Sequence, residues 1–391
     1  NYITGKIDPY LGTAFTSNSA LDVWTLTLRD GVKWSDGVAF SAVDVVFTIN
    51  TLLTNKAQTL IFAAEMQHWV KAVKKIDVRT VEFDLNLPNP RFQLDYFSVR
   101  VFFSLNILPA HVWQGQDPTT FTFYDPSKGW PIGTGPYKLT SASPNQFTWD
   151  EDPNWWGVAA GFHALPEPKR LIWVLAGSEE NKALLMSQHN LDSAMNMTLG
   201  AFQAIQAKNP KAVAWEAALP YTFADPCPRE LEFQTETAPW SDPNLRKAVS
   251  LIIDRTSNIK IAYQGTTTPS STMFVSYGGM QPFIDAITKA GYAAPATGDV
   301  AAGQKLIEAA GYKQDSNGIY EKDGKTLDLN IIVPNDTQEY ILSNNELVEQ
   351  LQKAGINASS QPVNGATEGN ATQTGNFQAT WAWNSPACRR H

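Results

Sequence analysis

Between residues 23 and 50, the hydrophobic and polar positions follow two different periods, one after the other. The first is the period-2 pattern of a strand with one buried face, in which threonines separate Trp24, Leu26 and Leu28. Ser41, followed three residues later by Asp44, then predicts a capped helix N-terminus. The apolar stripe that continues this helix is Ala42, Val46, Ile49 and Leu53. In between, two Asp-Gly pairs at 30–31 and 36–37 predict turns, because glycine tolerates a positive φ.

Similar patterns predict further elements along the chain. A second alternating strand carries Val81, Phe83, Leu85 and Leu87 on one face. Further elements are predicted as a hairpin at 137–139 and 147–149, a strand at 171–174 and a helix at 179–186. Asp242 as N-cap and Pro243 at the first helical position open an amphipathic helix with the apolar stripe Leu245, Ala248, Val249 and Ile252.

The last third of the chain alternates helices with a strand. One helix is predicted to end at Gly311 and another at Gly355, since glycine is common just past a helix C-terminus. A strand at 327–333 lies between them. Helix, strand, helix is the order that an α/β domain requires.

Composition narrows the class of protein. The 391 residues favour two or three structural units, and 43% hydrophobic with 17% charged residues is typical of a globular protein. A net charge of −8 without a long basic run argues against nucleic-acid binding. No window approaches the roughly 18 continuous apolar residues of a membrane helix. Cys227 and Cys388 are predicted to be free thiols.

Candidate chemistry is sparse. Ser257 and Lys260 fit the S-x-x-K pattern, but no S-D-N or K-T-G motif accompanies them, so a catalytic serine is not expected. The five histidines are scattered without metal-ligand spacing. Gly133 and Gly135 predict a tight turn, not a phosphate loop. We therefore expect no catalytic residue, no metal and no cofactor. Most tryptophans are expected in the core, among them Trp24, Trp34, Trp69, Trp155 and Trp156.

Three blocks resemble, in order, the signatures of the extracellular solute-binding proteins of family 5, the dipeptide, oligopeptide and nickel receptors of bacterial ABC importers. The blocks are LRDGVKWSDGVAFSAVDVVFTI at 28–49, PIGTGPYKL at 131–139 with the hairpin and tryptophan pair that follow, and PWSDPNLRKAVSLIIDR at 239–255. The resemblance fails near the C-terminus, where the acidic residues expected after a tryptophan are absent. Family members continue past this point, so we expect a chain cut at both ends.

The resemblance implies an α/β fold of the periplasmic-binding-protein type (type II, cluster C), with two lobes and an extra subdomain in the first lobe. The implied division is an incomplete first-lobe edge at 1–20, the extra subdomain at 21–128, the first-lobe core and crossover at 129–238, and an incomplete second lobe at 239–391.

The implied function is capture of an oligopeptide-like extended solute between the lobes, without chemistry, for an ABC permease. The receptor is expected to be a monomer in the periplasm or on the outer face of the membrane, held by a lipid anchor in a Gram-positive cell. An oligosaccharide is the alternative solute, since tryptophan faces stack on sugar rings. A glycan-cleaving enzyme and a peptide-binding chaperone remain as hypotheses of other classes. By position in the family, the candidate ligand contacts are Tyr221, Phe223, Trp381, Trp383 and Asn384.

Overall fold

The computed structural model describes residues 6–57, 60–98, 104–195, 197–221, 228–276 and 280–383, without the side chains of residues 382 and 383. Both cysteines lie outside these ranges. The chain divides into two compact units, Asn1–Leu175 (unit 1) and Ala176–His391 (unit 2). The four-part division implied by the family stays a prediction. Within the described ranges, no helix has the length and apolar character needed to cross a bilayer.

Unit 1 contains seven strands and five α-helices within its described residues. They are β1 (Gly12–Ser17), β2 (Val23–Leu28), α1 (Ala42–Thr54), α2 (Ala63–Trp69), β3 (Val70–Lys75), β4 (Thr80–Leu85), α3 (Phe92–Tyr96), α4 (Ala110–Trp113), β5 (Tyr137–Ser143), β6 (Gln146–Glu151), α5 (Trp156–Ala159) and β7 (Arg170–Val174). Two antiparallel sheets result, in the orders β1-β2-β4-β3 and β5-β6-β7.

The first block folds largely as its pattern predicts. Strand β2 buries every second residue, and the Ser41 hydroxyl and Asp44 carboxylate form both halves of a capping box at the start of α1. The buried stripe of α1 differs from the prediction at two of its positions. Val45 and Leu52 are buried, whereas the predicted Val46 and Leu53 are half-buried. The helix is rotated because its buried face also includes Asp44 and Thr48, which bind backbone N–H groups of residues 108–110.

The aromatic residues of the first sheet pack edge to face. Phe15 contacts Trp24, Phe92 and Phe97 at centroid distances of 5.1–6.2 Å, the geometry that aromatic pairs prefer. Trp24, Trp34, Trp155 and Trp156 are buried, as predicted, and Trp69 packs half-buried against the same core. The prediction for Leu87 is wrong. Strand β4 ends at Leu85, and Leu87 lies past it with 52% of its surface exposed.

Unit 2 is an α/β unit. Its described elements are α6 (Glu179–Ser187), α7 (Leu199–Lys208), β8 (Arg229–Phe233), α8 (Pro243–Ile252), α9 (Arg255–Ala262), α10 (Gln281–Lys289), α11 (Val300–Ala309), β9 (Lys313–Gln314), β10 (Tyr320–Lys322), β11 (Lys325–Thr326), β12 (Asp328–Pro334), α12 (Gln338–Lys353), β13 (Asn357–Val363), α13 (Gly365–Thr374) and β14 (Ala379–Trp383). The main sheet has the order β13-β12-β14-β8.

Helices α8, α11 and α12 build the core of unit 2 against this sheet. The four predicted stripe residues of α8 are all buried, and Asp242 caps the helix by accepting from the N–H of Asn244. Helix α11 approaches α8 at Gly303, where a methyl group would lie 2.6 Å from Ile252 Cγ1. The helix-strand-helix order predicted for this region is therefore confirmed.

Candidate functional site

In the main sheet of unit 2, the ends of several strands lie at one edge. Strands β13, β12 and β14 run parallel, so their carboxyl ends share that edge, while β8 is antiparallel and begins there. Arg229, the first residue of β8, pairs with Trp383, the last residue of β14. Ligands of open α/β sheets bind beside the carboxyl ends of parallel strands. This edge is therefore the candidate site within unit 2.

An ion pair stands at this edge. Arg229 donates from Nε and Nη2 to the same oxygen, Oε1 of Glu339, at 3.1 and 2.8 Å. Glu339 lies in the first turn of α12, where the positive end of the helix dipole favours a carboxylate. The guanidinium also lies 5.7 Å from the ring centroid of Tyr340. Both charged side chains are about four-fifths buried, with 18% and 23% exposed, so the pair is held more firmly than a surface pair.

Tyr263, just past α9, is electrostatically coupled to this pair. Burial, together with the smaller effect of the negative charge of Glu339, raises the pKa of the Tyr263 hydroxyl to about 12, although Arg229 opposes the shift. The phenol therefore keeps its proton, and with it a hydrogen-bond donor, to a higher pH than an ordinary tyrosine does.

The structure places Trp381 in the wall of unit 2. Its side chain is half-buried and packs against the same core cluster as Leu231 and Phe233 of β8. Its indole N–H is buried and has no hydrogen-bond partner in the part of the chain that the structure describes. Packing thus accounts for much of the indole surface, and contact between Trp381 and a solute stays a prediction.

The other predicted contacts are only partly described. The backbone of Trp383 ends β14 at the candidate edge, while its side chain, Phe223 and Asn384 lie outside the described residues. Tyr221 has a φ of 64°, a conformation that costs a bulky side chain energy and is often found at functional sites. Its ring packs edge to face on Phe202 of α7, with the centroids 5.3 Å apart.

The motifs from which no chemistry is expected have structural roles. The hydroxyl of Ser257 donates to Glu346 at 3.0 Å, so it is engaged by a carboxylate. The carbonyl of Thr134, between Gly133 and Gly135, accepts from the indole N–H groups of both Trp155 and Trp156. No cluster of three metal-binding side chains occurs among the residues that the structure covers.

Unit 1 has a surface depression of about 410 Å³ at the ends of β1, β2 and β4. Its rim carries Arg79 and Asp30 with their charges 3.6 Å apart, together with Asp77 and Arg29. The opposite charges on this rim balance, and the lining includes none of the predicted ligand contacts whose side chains the structure describes.

The sequence did not indicate the ion pair or one exposed aromatic residue. Arg229 and Glu339 are 110 residues apart, so no local pattern links them. Trp215 is 86% exposed, although a tryptophan in an apolar stretch is more often part of a core. Its short spacing from the predicted contact Tyr221 is the one sequence signal that could have indicated Trp215.

Residues 6–388 match the family model for "Bacterial extracellular solute-binding proteins, family 5 Middle". Among curated relatives, Protein XP55 of Streptomyces lividans is 27% identical over 350 residues, which is 88% of this chain and 56% of that protein. The nickel-binding periplasmic protein of Escherichia coli K12 is 24% identical over 83% of this chain and 57% of its own length. The chain thus spans little more than half the length of these relatives.

Two solved structures share the fold over nearly the whole chain. The oligopeptide-binding periplasmic protein of Thermotoga maritima, determined with bound mannohexaose, has a TM-score of 0.78 at 23% identity, covering 97% of this chain and 68% of that one. The oligopeptide-binding protein AppA of Bacillus subtilis, in complex with a nonapeptide, has a TM-score of 0.72 at 16% identity, covering 97% and 71%. The predicted fold class is therefore confirmed.

Proposed function

Because the chain belongs to the bacterial extracellular solute-binding proteins of family 5, we propose that it captures an extended, peptide-like solute and delivers it to the permease of an ABC importer. The family predicted from the three sequence blocks is confirmed by the match over residues 6–388. The observation that carries the proposal is the carboxyl edge of the unit 2 sheet, where β8 and β14 meet at Arg229 and Trp383.

A peptide suits the outer side of β8, the strand that begins at this carboxyl edge. In the described sheet order, β8 is the outermost strand beside β14. An extended peptide can add to such a strand through main-chain hydrogen bonds, which do not depend on the peptide's side chains. The complex of AppA with a nonapeptide supports the same solute class for this fold.

An oligosaccharide is the second candidate solute. The likeness to a Thermotoga maritima protein with bound mannohexaose supports it. Trp215, with an exposed indole suited to stacking on a sugar ring, supports it from this chain's own residues.

Capture needs no chemical step. A solute that contacts both lobes of a two-lobe receptor binds the closed state more tightly than the open one, and closure follows from that difference in affinity. The permease would then recognise the closed receptor. We propose a monomeric receptor on the outer face of the cell membrane or in the periplasm, with a lipid anchor in a Gram-positive cell. The family description, extracellular, supports this location.

A thermal-shift screen tests the proposal. The purified protein is heated with di- to pentapeptides, cello-oligosaccharides, manno-oligosaccharides or a nickel salt. A ligand at 100 times its Kd stabilises the native state by about 2.7 kcal/mol, enough to raise the transition temperature measurably. A shift with one solute class supports the receptor. No shift with any of them contradicts it, and hydrolysis of the ligand would favour the glycan-cleaving alternative.

A further inference from the structure

The sequence contains two Asn-Gly pairs, Asn317-Gly318 and Asn364-Gly365, and both lie in unit 2. Because glycine has no Cβ, the peptide nitrogen that follows such an asparagine is sterically open to attack the side-chain amide of that asparagine. Hydrolysis then turns the amide into an acid, and no enzyme is needed. The two asparagines have different electrostatic surroundings, so we expect them to differ in this reaction.

Asn364 is the N-cap of α13 and follows Val363, the last residue of β13, at the carboxyl edge of the main sheet. The residue is exposed to solvent. Its side-chain oxygen Oδ1 accepts from both the N–H and the Oγ1–H of Thr367, at 2.9 and 3.0 Å. Two donors therefore point at the oxygen that becomes negatively charged when a nucleophile adds to the side-chain carbonyl carbon.

The nucleophile at this site is the peptide nitrogen of Gly365. Gly365 is the first residue of α13, where an N–H has no partner within the helix and the positive end of the helix dipole favours negative charge. Both conditions favour loss of the N–H proton, which precedes the attack. A Cβ built on Gly365 would meet no atom within 4 Å, so the space around the nitrogen is open.

The other pair, Asn317-Gly318, lies beside a carboxylate. The N–H and Nδ2 of Asn317 donate to the two side-chain oxygens of Asp315 at 2.8 and 3.3 Å, and the N–H of Gly318 donates to the Asp315 carbonyl at 3.1 Å. The N–H of Ile319 is the foremost of several hydrogen bonds that lower the pKa of Asp315, so its negative charge persists. This charge and the hydrogen bond from Gly318 both oppose loss of the Gly318 proton.

We propose that Asn364 is a site of spontaneous deamidation, at which the helix cap stabilises the tetrahedral intermediate. The deprotonated nitrogen of Gly365 forms a bond to Cγ of Asn364, the Cγ–Nδ2 bond breaks, and Nδ2 takes up a proton and leaves as ammonia. One water molecule opens the resulting succinimide ring at either carbonyl, which leaves aspartate or isoaspartate at position 364. The reaction places a new negative charge at the candidate edge, four residues before Glu368 on α13.

Peptide mapping by mass spectrometry tests the proposal on the purified protein, incubated in mildly alkaline buffer and sampled over time. Asn364 should be converted to aspartate and isoaspartate faster than Asn317, the internal reference in the same sample. Thr367→Val removes the Oγ1 donor and keeps the branched shape. It should slow the reaction at Asn364 about two- to tenfold, the effect of one hydrogen bond on a rate. Gly365→Ala should slow it as well, because the added methyl group crowds the nitrogen.

The comparison of the two asparagines decides the proposal even without the variants. A faster reaction at Asn364, slowed by both substitutions while Asn317 reacts at its wild-type rate, supports it. Equal rates at the two sites, reaction at Asn317 alone, or no reaction at either overturns it. A faster reaction at Asn364 in Thr367→Val also overturns it, because the cap would then restrain the side chain instead of activating it. Circular dichroism shows that each variant is folded.

Discussion

The carboxylate of Asp44 accepts a hydrogen bond from the backbone N–H of Ala110, 66 residues further along the chain, at 2.9 Å. Its other oxygen accepts from the N–H of Ser41 at 2.8 Å, so one buried side chain both caps α1 and fixes the start of α4. Thr48, one turn along α1, accepts from the N–H of Leu108 in the same way. Asp44 is thus part of a local capping motif and also connects two segments of unit 1 that are distant in sequence.

Replacing Asp44 by Ala should destabilise unit 1 by about 2–4 kcal/mol, because two backbone N–H groups would lose their acceptor in a buried place. Asp44→Asn should cost less, since one amide oxygen can still accept. Chemical denaturation followed by tryptophan fluorescence measures the change. Asp30→Ala is the control, because the Asp30 side chain is 85% exposed and should have little effect. Equal effects of the two alanine variants would refute the role given to Asp44.

Two glycine substitutions in helices of unit 2 should have opposite signs. Gly303→Ala should destabilise the protein by about 1–3 kcal/mol through overpacking, because its methyl group would lie 2.8 Å from the carbonyl oxygen of Ala248. Gly369→Ala, in the middle of α13 with no atom within 4 Å of the added methyl, should stabilise it by about 0.5–1 kcal/mol. Urea unfolding midpoints compare them. A stabilising Gly303→Ala would show that α8 and α11 are less closely packed than described.

Glu368 should make stability fall as pH rises. Burial raises its pKa above the ordinary value of 4.5, although a hydrogen bond from Thr380 at 3.3 Å opposes part of the shift. A carboxyl group with a raised folded pKa binds its proton more tightly in the native state, so its unfavourable contribution grows as pH rises from 4.5 through the folded pKa.

Glu368→Gln should therefore raise the transition temperature at pH 7 and leave it nearly unchanged at pH 4. The glutamine can keep the hydrogen bond from Thr380, which makes the variant a test of charge alone. Thermal unfolding by circular dichroism at both pH values measures the difference. A variant that is less stable than wild type at pH 7 would contradict the prediction.

The ion pair between Arg229 and Glu339 should couple β8 to α12. A double-mutant cycle with Arg229→Met and Glu339→Gln should give a coupling energy of about 1 kcal/mol, because both groups are mostly withdrawn from solvent. Lys353 and Glu349, an exposed pair on α12, provide the control cycle and should couple by no more than about 0.5 kcal/mol. Equal coupling in the two cycles would show that the Arg229 pair behaves as a surface pair.

Local sequence patterns predict the helices and strands. They fail where contacts with residues distant in sequence determine which side chains are buried. Ser41, Asp44 and Asp242 lie at their predicted caps because capping depends on residues two or three positions apart. The stripe of α1 was misplaced toward Val46 and Leu53 because the segment at 108–110, which binds Asp44 and Thr48, is far away in sequence.

The candidate site was less predictable than the fold. Trp381 and Trp383 were proposed from their position in the family, and Trp381 proved to be partly engaged with the core. Trp215 was not proposed, since neither period nor spacing distinguishes an exposed tryptophan from a buried one. Whether a single side chain is exposed depends on the tertiary contacts of the backbone around it. Here those contacts come from Gln206 and Phe202, which no sequence motif marks.

Reversible capture without chemistry is tested most directly by titrating the purified protein with the solute class that stabilises it most and then analysing the recovered solute by mass spectrometry. Reversible capture predicts saturable binding of one solute molecule per chain and recovery of that solute unchanged after prolonged incubation. A shortened or hydrolysed solute, or heat that continues to evolve after the binding site is saturated, would contradict it.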